Sequence, residues 1–350
     1  MEASLSTVSK GAFAAIGNGR FAVMVFYVLS GFVLTALMLT TRSTQLRLVY
    51  ISQRYLRLLP LTLLGALLGL VVVQSGYLGL TSLHEVNCST RLSIYPPPLR
   101  GLGEVLTFFR QMLVDLWIGR EPPLYNTVLW TMGIEFRASI FLMLFLVGYS
   151  ETRFRKRMHL LGAVFGLIFV GKYYLCFSAG CYLADLWTRG GFHCVMKNSL
   201  AGAFCGLVVM LCGAFDPDRG GASEWIARFI PIPLCRVIIY LCGGSAAVVM
   251  ALTAGFPSFL LSCKLSRFLG KVSFAFYVVH QPVIHSVGAN VLVKYAPHYG
   301  YDLAALGGTV ASLAISISAA WLITEFIDIP TNAYTKRLTE QWLGGTPLRK

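Results

Sequence analysis

About nine apolar runs, most of them near the 20 residues that a bilayer-spanning helix needs, divide this sequence, and short cationic loops separate them. Inside hydrocarbon no water is on hand for backbone N–H and C=O groups, so a spanning segment must satisfy them along its own length. The expected fold class is therefore all-α: a polytopic membrane helical bundle of about nine transmembrane helices plus one interfacial helix. The runs fall near 21–40, 56–76, 126–149, 158–171, 173–188, 199–215, 232–254, 267–293 and 302–326, and Lys172 separates the two shortest.

The charge pattern orients these spans. The chain is 56% hydrophobic and 13% charged, and 29 Lys and Arg against 15 Asp and Glu give a net charge of +14. A basic balance can signal nucleic acid. Here the cations sit at helix ends and no basic-aromatic surface stands apart from the spans, so no nucleic-acid partner is expected. Arg42, Arg47, Arg54 and Arg57 fall on one side, with Arg153, Arg155, Lys156 and Arg157 (against Glu151 alone), Lys264, Arg267 and Lys271, and Lys336, Arg337, Arg349 and Lys350. Asp216, Asp218 and Glu224 fall on the other. The positive-inside rule then puts the C-terminus in the cytosol and the N-terminus outside or in a lumen. The long loop from about 77 to 104 faces outside on this count, in keeping with its glycosylation pattern Asn87-Cys88-Ser89.

No linker, low-complexity tract or repeat breaks the chain. It reads as a short N-terminal segment (1–19), one membrane domain (20–337) and a cytosolic tail (338–350). The first twenty residues lack the pattern of a secretory signal. Thr107, Gln111 and Asp115 recur every four residues, opposite Phe108, Phe109, Met112, Leu113 and Leu116, which predicts an interfacial helix over 105–119. Gly65 and Gly69, Gly162 and Gly166, and Gly202 and Gly206 stand four apart and favour close helix packing. The nine Cys lie mostly within or beside apolar runs without metal-ligand spacing, and read as small packing residues.

Three places could carry chemistry. Arg54 and Arg57 stand three apart where a cytosolic loop enters a helix. Two guanidiniums there could clamp phosphates bidentately, or could serve only to set topology and meet lipid headgroups. Glu135 lies in an apolar segment, where a carboxylate must pair with a cation or take a proton. Arg137 points to another face of the same helix, so the partner is expected on a different helix. A structural ion pair and a functional carboxylate remain equally open. His280 sits inside a span, two residues before Pro282, which frees the carbonyl of Val278 and predicts a kink. A neutral imidazole there suits proton transfer near pH 7, or hydrogen bonding to a neighbouring helix. His285, five residues on, is expected to face elsewhere. No phosphate loop, metal-ligand spacing or nucleophile elbow is present, so no metal is expected.

In order along the chain stand Phe26-Tyr27-Val28-Leu29-Ser30-Gly31-Phe32; Arg54, Arg57 and Pro60; Leu129-Trp130-Thr131 with Glu135-Phe136-Arg137; and Leu269-Gly270-Lys271 with Ser273, Tyr277 and His280. This series, closed by Asp328-Ile329-Pro330, resembles the acyltransferase-3 family of integral-membrane enzymes, its fungal members most, from about 19 to 336. The resemblance implies an enzyme that takes an acyl group, commonly acetyl, from acyl-CoA and places it on a hydroxyl of a carbohydrate or secondary metabolite. It implies acyl-CoA as co-substrate with no permanently bound cofactor. The implied partners are the lipid bilayer and a small-molecule or glycan acceptor, with the oligomeric state left open. On that reading Arg54 and Arg57 bind CoA, while Glu135 and His280 are catalytic residues lining the cavity. Tyr27 and Ser30 are packing positions, with Ser30 also able to donate into the cavity. Family members begin with a further span that carries an Arg and then the His expected to act as base. By this resemblance the chain opens just before the family's second span, and residues 1–19 hold no His. Two other readings stand beside the enzyme. Intramembrane Glu135 and the kink at His280 would also suit a transporter or flippase, though related halves are not evident. A chain without the first span would also suit an inactive family member.

Overall fold

The computed structural model describes residues 18–41, 44–77, 97–120, 125–149, 155–192, 198–215, 232–253 and 256–342. The glycosylation pattern at Asn87, the loop acids Asp216, Asp218 and Glu224, Arg42, Glu151, Arg153, Arg349, Lys350 and residues 1–17 lie outside these. Within the described residues every regular element is helical. Gly19–Thr40 (α1) and Thr44–Gln74 (α2) come first. Leu102–Arg110 (α3) runs through a π-helical stretch, Gln111–Asp115, into a last turn at Leu116–Ile118. The 3-10 turn Thr127–Leu129 opens Trp130–Tyr149 (α4). Arg155–Phe169 (α5), Tyr174–Thr188 (α6), Ser199–Ala214 (α7), Ile232–Leu252 (α8) and the short Phe256–Ser262 (α9) follow. Lys264–Val283 (α10) passes through a second π-helical stretch, Ile284–Gly288, into Ala289–Tyr299 (α11). Tyr301–Ile323 (α12) passes through a third, Thr324–Asp328, into Ile329–Trp342 (α13).

Each expected apolar run meets a helix. Four segments among the described residues are long and apolar enough to cross a membrane: Gly19–Thr40, Val49–Gln74, Thr127–Val147 and Tyr301–Leu338. The others are shorter or more charged. At 15 residues, α5 and α6 reach only about 22 Å at 1.5 Å per residue, short of a hydrocarbon core of roughly 30 Å.

The helices group into two compact units. The first holds residues up to Ile51 together with Arg137–Ser266. Its seam is α1 against α6, and two glycines create it. A Cβ on Gly31 would stand 2.2 Å from the carbonyl oxygen of Phe177, and one on Gly180 2.0 Å from that of Val28. Hydrocarbon gives helices no hydrophobic drive to associate, so this close backbone approach and the packing it permits hold them. Tyr27 and Val28 are wholly buried there, with the Tyr27 ring 5.2 Å from that of Phe177. Within Phe26–Phe32, Tyr27, Val28, Gly31 and Phe32 are packing positions, whereas Phe26 and Leu29 are exposed. Asn18 closes two helix ends at once. Its Oδ1 accepts from Phe21 N at 3.1 Å, capping α1, and its Nδ2 donates to Gly213 O at 2.9 Å, serving the end of α7. A buried polar knot joins α5 to α6: His159 Nε2 lies 3.2 Å from Asp185 Oδ2, which also accepts from Arg189 Nη2 at 2.7 Å. The i,i+4 spacing of Asp185 and Arg189 is legible in the sequence, whereas the approach of His159 from another helix is not.

The second unit holds Ser52–Phe136 and Arg267–Lys350. Leu58, Leu61, Leu129, Val278, Val279 and Ala320 are central to its core. Gly69 lets α2 meet the chain just ahead of α4, since a Cβ there would stand 2.1 Å from Tyr125 O. Asn126 ties this crossing together. Its Nδ2 donates to Gly65 O at 3.0 Å and to Val278 O at 2.8 Å. Val278 O is the carbonyl that Pro282 cannot serve, because proline has no N–H. Gln281 makes the neighbouring clamp, accepting from Val128 N at 2.9 Å and donating to Thr127 Oγ1 at 2.6 Å.

The helix anticipated over 105–119 forms with a different face inward. Gln111 and Asp115 are buried beside Phe108, Met112 and Leu116, while Phe109 and Leu113 are exposed. The buried residues Phe108, Gln111, Met112, Asp115 and Leu116 keep the i, i+3, i+4, i+7, i+8 spacing of one helix face, so the inward face is turned toward the polar residues and away from Phe109 and Leu113.

Candidate active site

The polar residues of the later sequence segments converge within the second unit. Arg54, two turns ahead of Pro60 in α2, reaches Glu135 in the second turn of α4: Nη2 to Oε1 is 2.6 Å, and the two side chains are 12% and 3% exposed. That separation and burial define a charge-assisted hydrogen bond in which each group offsets the other's desolvation. The partner expected on another helix is thus Arg54. Arg57, one turn further on, is exposed, and its charge acts on Asp328 in the π-helical stretch after α12. Asp328 Oδ1 also accepts from Asn332 Nδ2 at 3.0 Å. Lys271 and Glu325 form a further ion pair between α10 and that same stretch.

One turn before Glu135, Thr131 Oγ1 lies 2.8 Å from the Tyr277 hydroxyl, and that hydroxyl reaches Val128 O at 2.9 Å. This joins α4 to α10. His280 follows Tyr277 by one turn. Its Nδ1 is 2.7 Å from Tyr277 O. A carbonyl oxygen can only accept, so Nδ1 carries the proton and Nε2 holds the ring's lone pair. The ring lies nearly parallel to Phe276, 9° between planes at 5.8 Å, and lines a groove of about 370 Å³ between α10–α11 and α12.

The four anticipated site residues therefore occupy two places in one unit. Arg54 and Glu135 are bonded to each other, with Arg57 one turn away, and His280 lines the groove, whose wall includes none of the other three. His285 was expected to face elsewhere, yet it lines the same groove. Residues five apart diverge by about 140° on an ordinary helix, but the π-helical stretch Ile284–Gly288 begins between them and its i→i+5 pattern changes the register. Asn126 and Gln281 had also escaped notice. Pro282 was the one available signal for them, because it announced a carbonyl in need of a donor.

The long apolar helices mark an integral membrane protein, and its second unit holds a buried arginine–carboxylate pair and a groove lined by a histidine. The comparisons make the class specific. A family model described as an acyltransferase domain matches residues 3–325, and the chain belongs to that family, acyltransferase 3. A curated relative, the O-acetyltransferase PaAT-1 of Phomopsis amygdali, is 24% identical across 57% of this chain and 44% of its own length. The match therefore spans less than half of that relative. No solved structure matches the chain.

Proposed function

We propose that the protein is an O-acyltransferase that moves an acyl group, acetyl in the first instance, from acyl-CoA to a hydroxyl of a small-molecule or glycan acceptor. Membership of the acyltransferase family supports the reaction class, and the O-acetyltransferase name of the Phomopsis relative supports acetyl and oxygen. The observation that carries the reading is His280, whose Nδ1–H is tied to Tyr277 O while the ring lines a groove. Nε2 takes the proton of the acceptor hydroxyl as its oxygen attacks the thioester carbonyl. The tetrahedral oxyanion collapses, the C–S bond breaks, and the CoA thiolate leaves and regains a proton from the imidazolium. The products are an acetyl ester and free CoA.

Arg57 is the exposed cation that meets the phosphates of CoA. Arg54 adds charge behind it and, with a planar fork able to serve more than one acceptor, also neutralises Glu135. Glu135, on this view, is a positioning residue that holds Arg54. In the same reading the chain is multi-pass with about nine spans. The end bearing Arg54 and Arg57 faces the cytosolic CoA pool, with the C-terminus on that side and the N-terminus outside or in a lumen. Membranes containing the full chain, given acetyl-labelled acetyl-CoA and a panel of alcohols and sugars, should yield a labelled ester and one free CoA thiol per ester. Flux of an acceptor across the membrane without CoA release would contradict the reading.

A further inference from the structure

Among the described residues of the second unit, three hydroxyls are buried without a hydrogen-bond partner, Ser312 Oγ, Ser316 Oγ and Thr324 Oγ1, and the first two share one groove. Ser312 and Ser316 are 4% and 1% exposed. A helical serine or threonine commonly returns its hydroxyl to the carbonyl one turn back. Thr309, on the same helix, does so, donating to Ala305 O at 2.8 Å. Ser312 and Ser316, one and two turns further along α12, do not, and both line the groove that holds His280. Gly288 on the facing wall makes room for the Ser312 hydroxyl, because a Cβ there would stand 2.6 Å from Ser312 Oγ. Phe276, Ile284, Ala289, Leu292, Ala305 and Leu313 make most of the remaining wall apolar.

This combination restricts the occupant. An unpartnered hydroxyl in apolar surroundings is costly, and the hydrocarbon tail of a lipid has no group to satisfy it. A sugar would bring hydroxyls on every side and leave most of them against Ile284, Leu292 and Leu313. A molecule with an apolar body and a hydroxyl fits both features, and the volume suits a small molecule rather than a polymer. We propose that the groove between α10–α11 and α12 binds the acyl acceptor, and that this acceptor is a small amphipathic alcohol whose hydroxyl lies among Ser312, Ser316 and His280. The assignment rests on the acyl-transfer reading for the word acceptor, while the binding site stands on the groove itself.

The test uses the full chain in lipid nanodiscs and two photoreactive probes: a dodecanol with a mid-chain diazirine, and the same chain lacking the hydroxyl. After irradiation, peptide mass spectrometry should place the alcohol in segments 284–292 and 305–316, about fivefold above the hydrocarbon probe, as a hydrogen bond gained in an apolar site implies. The double variant Ser312→Ala/Ser316→Ala removes only buried hydroxyls and should keep the fold, yet lose that preference. Equal labelling by the two probes, or a preference intact in the double variant, would overturn the proposal. Acetyl transfer measured in parallel separates the two readings. Groove labelling without transfer to any acceptor supports the site and contradicts the transferase. Acetyl transfer to glucose with no groove labelling by the alcohol overturns this proposal and leaves the transferase standing.

Discussion

The side-chain amide of Asn126 donates at 2.8 Å to the carbonyl of Val278, the one acceptor in α10 that Pro282 leaves without a helical donor. The same nitrogen reaches Gly65 O at 3.0 Å, so one residue serves the carbonyl that Pro282 frees and the crossing with α2. Asn126→Ala leaves Val278 O short of a donor, while Gly65 O keeps its acceptor role in the helical ladder of α2, and should cost about 1–3 kcal/mol. Thermal unfolding in detergent would read this as a lowered midpoint. Adding Pro282→Ala restores an N–H for Val278 O and should recover part of the loss. An unchanged midpoint in Asn126→Ala would mean the amide adds nothing at the proline-freed carbonyl.

Removing either member of the Arg54–Glu135 pair strands a buried charge. Arg54→Met or Glu135→Leu alone should each lower stability by roughly 3–5 kcal/mol, and the double variant should regain most of it. A double-mutant cycle on unfolding measures the coupling directly. Strictly additive losses would show that the two groups act independently.

Close helix approach makes a sharp contrast among glycines. Gly31→Ala puts a methyl group 2.2 Å from a backbone oxygen that cannot step aside, and should sharply reduce the yield of folded protein. At Gly270 a Cβ would meet nothing within 4 Å. Gly270 lies in α10, so Gly270→Ala should be neutral or stabilising by up to about 1 kcal/mol. Equal behaviour of the two variants in a fluorescence-detected folding assay would contradict the α1–α6 seam.

Arg57 is exposed, and its removal should spare the fold. Arg57→Ala should raise KM for acetyl-CoA about tenfold or more at an unchanged melting midpoint, because a charge-assisted contact to phosphate is lost. The difference from wild type should shrink as salt rises, since exposed charges are screened. An unchanged KM would remove Arg57 from CoA binding.

The positions of the helices were legible because hydropathy is a local property: α1, α4 and α6 begin and end within a few residues of the apolar runs that announced them. Their partners were not legible. Arg54 and Glu135 are 81 residues apart, and Asn126 and Val278 152 apart, and no local spacing encodes such pairings. Glu135 announced that it needed a cation without saying which one. The π-helical stretch Ile284–Gly288 was equally silent, and with it His285 turned into the groove, while Gln111 turned inward because the buried face of its helix takes in polar residues that a hydropathy pattern assigns outward. His280 could be singled out from the chemistry of an imidazole beside Pro282, while the hydroxyls of Ser312 and Ser316 sit in an apolar run where serine ordinarily bonds to its own helix.

His280 as general base is the central claim, and one comparison tests it most directly: single-turnover acetyl transfer by purified wild type and by His280→Gln in nanodiscs, with acetyl-CoA binding and the melting midpoint measured on the same samples. The account predicts that His280→Gln binds acetyl-CoA and melts as wild type does, while the transfer rate falls about 100-fold or more, the usual contribution of a positioned base. Transfer at the wild-type rate in the variant would contradict it.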